Sequence, residues 1–231
     1  MKGKERQNDI EIIIKEFNSK FGQTDRYSSF DYCYNYFLTT KDLTKDIEKS
    51  CLTLGFYLAS WGMYRGSSFL LQKSVKYLEP TIKYIAGIDK SIWNIDVDNY
   101  DSQTIKEIIK VYNDIKRIII FNNNADLTLV TKILLGVFGF IPAFDNFFCN
   151  TFRDIYKGKC GFRRVNENSL NRIKDFYDNN KEVIDKISAE TFTIDFHSGE
   201  KTKINYTKAK IIDMYGFTVG LKKSMKAQQK I

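Results

Sequence analysis

Four charged residues set among apolar or glycine neighbours are the ones best suited to chemistry: Asp145, Lys132, Arg65 and Asp213. Asp145 is flanked by Phe144, Phe147 and Phe148. A carboxylate among aromatic rings loses hydration, so its pKa rises unless a cation pairs with it, which is the setting of a general acid or base. Paired with Lys132 or Arg65, it is instead half of a structural ion pair. The residues leave both readings open. Lys132 is the only charge among Leu129, Val130, Ile133 and Leu134, and Asp213 is a second acid in the apolar run IIDMYGF. Arg65 stands between Gly62 and Gly66, ahead of Ser67 and Ser68. A guanidinium beside a serine-capped helix start suits an anion, and it can equally satisfy the carbonyls that end the preceding helix.

The same stretch carries a backbone signal. DLTLVTKILLGVFGFIPAFD, residues 126–145, joins an apolar helix to a turn with Gly136 and Gly139 and then to Pro142, a residue favoured in a first helical turn. Glycine-turn amides can approach a phosphate with no side chain in the way. The following RDIYKGKCGFRR puts Arg153, Lys157, Lys159, Arg163 and Arg164 around Tyr156 and Phe162, a mixture that suits phosphate contact with base stacking.

The run Leu134-Leu135-Gly136-Val137-Phe138-Gly139-Phe140-Ile141-Pro142-Ala143 resembles the hairpin of the helix-hairpin-helix DNA glycosylase superfamily, with one extra residue between the glycines. It is also similar, loosely, to bacterial helical proteins that carry a Lys-containing helix, a Pro and then an Asp. The first resemblance implies a DNA-contacting turn and an atypical relative of those enzymes.

No metal or cofactor is expected. DVDNYDS groups Asp96, Asp98 and Asp101 but lacks the glycine and glutamate of a calcium loop, and the lone His197 has no Cys or His beside it. Cys33, Cys51, Cys149 and Cys160 are scattered and read as free thiols of a cytoplasmic protein of bacterial or phage type. No run approaches twenty apolar residues, and MKGKERQND leads into no signal peptide, so no membrane partner is expected. The net charge of +8 is uneven: residues 151–165 carry +4 and residues 207–231 carry +5, leaving −1 elsewhere. Such clustering suits nucleic acid. The alternative is a protein-interaction or regulatory module that meets an acidic protein partner without catalysis. The oligomeric state is left open.

The elements that position these residues read as mainly α, a single helical domain over 1–231 with a small C-terminal β-hairpin. Two prolines and 15% aromatics suit long helices packed on large rings. The spacing predicts a helix over 9–21 capped by Asp9 and Gly22, and another over 42–60. A third runs from Ser67 past Leu78, and a cleanly amphipathic one covers 102–121 behind a cap at Asp101 or Ser102. The hub is a helix-turn-helix over 126–157. A long helix spans 166–187, the hairpin about 191–206, and a last helix begins near Ala209 and ends in a frayed basic tail at about 222–231.

Overall fold

Five of the ten described α-helices start at a side chain that accepts an orphan amide. The computed structural model describes residues 2–19, 22–121 and 125–229. The helices are α1 (Lys2–Ser19), α2 (Ser29–Thr39), α3 (Ile47–Ser60), α4 (Glu79–Ala86) and α5 (Ser102–Ile119). They continue with α6 (Leu127–Phe138), α7 (Asn146–Ile155), α8 (Glu167–Asn179), α9 (Lys181–Glu190) and α10 (Lys208–Gln228). Asp46, Asp101, Asp145, Asn166 and Thr207 cap α3, α5, α7, α8 and α10 by accepting a backbone N–H in the first turn. The sheet is one antiparallel pair, β1 (Phe192–Ile194) with β2 (Lys201–Asn205). The mainly-α class with a C-terminal hairpin is therefore as the patterning anticipates.

Several boundaries differ. Asp9 lies inside α1, which begins near the chain start, and Phe21 falls outside the described residues. No helix runs from Ser67 past Leu78: Ser68 caps a four-residue 3-10 turn, Phe69–Gln72, and a second turn covers Val75–Leu78 before α4. The predicted 166–187 helix is two, broken at the buried Asn180, whose side-chain amide donates to the Phe176 carbonyl. The basic tail is not frayed up to residue 228, because α10 continues through it.

Apolar side chains from α1 through α10 bury one another in one contiguous cluster. At its centre α6 is buried on all sides, as a helix apolar around its circumference must be. Gly216 and Gly220 let α10 approach α7 closely, since a Cβ at Gly220 would press on the Phe147 backbone.

The hairpin docks on α2 through polar contacts. Asp31 accepts from the Ile194 amide at 2.9 Å and from the Tyr206 hydroxyl at 2.6 Å, while Asn35 donates to the Ile194 carbonyl. Burial pushes the Asp31 carboxyl up to about 6, against the two hydrogen bonds and the nearby Lys210 ammonium. A raised folded-state value means stability that is present below about pH 4 and lost as pH rises through about 6. Asp31→Asn removes this titration. The stability of wild type relative to the variant should therefore fall by up to about 3 kcal/mol between about pH 4 and about pH 7, read from urea midpoints. A difference that does not change with pH would mean the carboxyl titrates normally.

Candidate functional site

Residues 139–145 leave α6 and enter α7 as an irregular strip, buried as far as Phe144. A buried strip without its own ladder must find partners for its backbone groups. Side chains supply them. Thr207 donates to the Gly139 carbonyl, Tyr100 to the Phe140 carbonyl and Thr128 to the Phe144 carbonyl. Asp213 accepts from the Ala143 amide at 3.0 Å, and Thr131 accepts from the Phe144 amide at 2.9 Å. Pro142 lies within this strip and does not start α7. The first turn of α7 follows Asp145, which accepts from the Phe148 amide.

The two hub glycines serve packing. Gly136 is inside α6 against the ring of Tyr57, with no room for a Cβ. Gly139, at φ 71°, ends α6 in the left-handed region, and its amide donates to the Leu134 and Leu135 carbonyls. Thr207 and Tyr34 cover it. No amide of this turn faces solvent, so the phosphate contact expected of Gly136 and Gly139 has no geometric basis.

Three of the four candidate chemical residues meet. Arg65, Lys132 and Asp145 line one open cleft of about 1060 Å³ between the end of α3, α6, α7 and α10. Lys132 is buried at 4% exposure. Its ammonium donates to the Trp61 carbonyl at 2.9 Å, lies 5.1 Å from the Trp61 ring centroid, and stands 4.0 Å from Asp145 Oδ2. Burial lowers the Lys132 pKa, opposed by the charges of Asp145 and Asp213. Burial likewise raises that of Asp145, opposed by Lys132 and the Phe148 amide. Arg65 is exposed at the rim. The serine-capped helix start expected beside it is only a short 3-10 turn.

Asp213 does not reach the cleft. It is 3% exposed, fixes the irregular strip through Ala143, and pairs with Lys210 at 3.4 Å. Lys210 is itself 2% exposed, with its ammonium 4.9 Å from the Trp61 ring centroid and 4.3 Å from that of Phe30. Its position three residues before Asp213 in an apolar helix is the one signal by which the sequence could have shown this pair.

Several cleft residues were not legible as site residues. Arg26 stacks on Tyr27, Asn146 and Asn150 follow the α7 cap, and Phe147, Phe217 and Trp61 form an aromatic wall with Phe217 centroid distances of 5.4 and 5.9 Å. Neither Arg26 nor Arg65 has a carboxylate partner among the described residues.

The basic segments separate in the same way. In the C-terminal one, Lys208 pairs with Asp98, Lys210 with Asp213, Lys222 with Glu16 and Lys223 with Asp154. The loop after α7 is different. Lys157, Lys159, Arg163 and Arg164 are exposed, and none has a carboxylate partner among the described residues. Arg153 does not point outward with them: it donates to Asn150 at 3.2 Å and to the Gly161 carbonyl at 3.3 Å, tying the loop to α7. Phe162 is buried against Phe144, Phe148 and Phe152, and Tyr156 donates to the Arg172 carbonyl, so neither ring of the loop is a free stacking face.

Among the described residues no group of His, Cys, Asp and Glu could hold a metal, and no helix is long and apolar enough to cross a membrane. All four cysteines are buried and unpaired. The fold and site define a helical protein with a mixed-charge cleft and a separate cationic loop. Compared with known proteins, the chain matches no family model, no curated protein and no solved structure.

Proposed function

We propose that this protein binds the phosphate backbone of nucleic acid through the loop that follows α7. The observation that carries the reading is the set of four exposed cations, Lys157, Lys159, Arg163 and Arg164, without carboxylate partners on one loop. The loop is held in shape before any ligand arrives. Arg153 clamps it, Phe162 anchors it, and Lys157, Gly158 and Phe162 adopt positive φ. A loop whose backbone is already fixed loses less entropy on binding than a free one.

The inward turn of Tyr156 and Phe162 gives phosphate contacts without base stacking, so affinity should depend on salt and little on sequence. Four contacts to duplex DNA correspond to a slope of about −3 to −4 in log affinity against log salt. Fluorescence anisotropy with a random-sequence duplex should show it. Arg163→Glu with Arg164→Glu should flatten the slope by about 2, whereas Asp145→Asn should leave affinity unchanged. Absence of binding at low salt, or a slope indifferent to the arginine pair, would remove the proposal. An acidic protein partner would meet the same cations. Failure of duplex and single-stranded DNA alike would leave that reading in its place.

A further inference from the structure

The cleft at Lys132 and Asp145 has unused hydrogen-bonding capacity at its floor and unbalanced positive charge at its rim. An ammonium has three N–H donors. Lys132 spends one on the Trp61 carbonyl, and Asp145 Oδ2 at 4.0 Å is beyond hydrogen-bond reach. Asp145 gives Oδ1 to the Phe148 amide and keeps acceptor capacity on Oδ2. The floor thus offers two unused ammonium N–H groups beside a carboxylate acceptor. The buried indole N–H of Trp61 also lacks a hydrogen-bond partner.

The charge pattern limits what fits. A bare anion at the floor would meet the Asp145 carboxylate as well as Lys132, so its attraction is cancelled there. At the rim, Arg26 and Arg65 have no carboxylate partner among the described residues, whereas Lys223 is paired with Asp154. Trp61, Phe147 and Phe217 line the same cleft, and Trp61 and Phe147 are more exposed than Phe217. A complementary ligand joins a neutral donor–acceptor edge, a flat ring and an anion.

We infer that this cleft binds a nucleoside monophosphate: base edge on Lys132 and Asp145, ring against the aromatic wall, and phosphate on Arg26 and Arg65. The inference goes beyond backbone binding by the loop and does not depend on it. The cleft volume of about 1060 Å³ accommodates such a ligand.

Trp61 and Trp93 are the two tryptophans of the chain, so a Trp93→Phe background makes Trp61 fluorescence report on the cleft. Adenosine, guanosine, cytidine and uridine 5′-monophosphates are titrated beside the matching nucleosides and ribose 5-phosphate. At least one nucleotide should give a saturable change, with its nucleoside and ribose 5-phosphate about tenfold weaker or more. Arg65→Ala, at an exposed position, should weaken the nucleotide about tenfold and leave the nucleoside unchanged. Asp145→Asn retains an α7 cap and should weaken nucleotide and nucleoside alike. Arg163→Glu with Arg164→Glu should leave nucleotide affinity intact, which separates this site from the loop. Two results overturn the inference: no saturable change with any nucleotide at millimolar concentration, or ribose 5-phosphate binding as tightly as the nucleotides.

Discussion

Gly220→Ala is expected to destabilise the protein by about 3 kcal/mol or more, even though alanine is the better helix former. In an unconstrained helix the change would stabilise by roughly 1 kcal/mol. Here the added methyl would lie about 2.7 Å from the Cα and carbonyl carbon of Phe147, and nearer still to its carbonyl oxygen. These are backbone atoms in the first turn of α7, directly after the Asp145 cap, so no rotamer change relieves the overlap. Overpacking that moves backbone sits at the upper end of the usual 1–3 kcal/mol penalty. Gly216→Ala is the internal control. Its methyl would meet ring carbons of the buried Phe148 and Phe152 rather than backbone, so its cost should be the smaller of the two. Urea unfolding of both variants tests the sign and the order. A stabilised Gly220→Ala would show that α7 and α10 do not pack through this glycine.

Much of the fold was legible because burial imposes periodicity. The stripe Ile105, Ile108, Tyr112, Ile115, Ile119 reports α5 directly, and Asp101 marks its start with a cap. The alternation on either side of HSGEK reports the hairpin. Illegible were the places where a side chain elsewhere in the chain decides the backbone. Residues 139–145 are an irregular strip because Thr207, Tyr100, Asp213 and Thr131 satisfy its polar groups, and those partners lie up to seventy residues away. Without them, Pro142 reads as a helix start. Lys210 adds to the positive sum of the C-terminal segment, yet it is interior and paired. Charge counted along the chain therefore overstated the tail and was informative only for the loop after α7. Asp145 and Lys132 stood out as charges in apolar runs, which is the local mark of a buried ionisable group. Arg26, Trp61 and Asn150 carried no such mark, because their neighbours in sequence are not their neighbours in the cleft.

Lys132→Met should cost about 3 kcal/mol, the low end for breaking a buried pair, because it leaves the half-buried Asp145 carboxylate without its cation. Asp145→Asn should cost less, for two reasons. Asparagine is as good an N-cap as aspartate, so the Phe148 amide keeps an acceptor. The stranded Lys132 also has an escape that a carboxylate at neutral pH lacks to the same degree. Burial already lowers its pKa, and loss of the Asp145 charge lowers it further, so it can give up its proton. The double variant removes both charges and should recover most of the loss, since neither desolvated group remains. For a lysine with a depressed pKa, the folding cost is full at low pH and disappears as pH rises toward the ordinary lysine value. Asp145→Asn should therefore regain stability at alkaline pH relative to the wild type. Guanidinium unfolding of the four proteins forming this cycle, at neutral and alkaline pH, gives the coupling directly. If Lys132→Met alone were as stable as the wild type, the 4.0 Å pair would be electrostatically idle, and the cleft floor would owe its shape to packing.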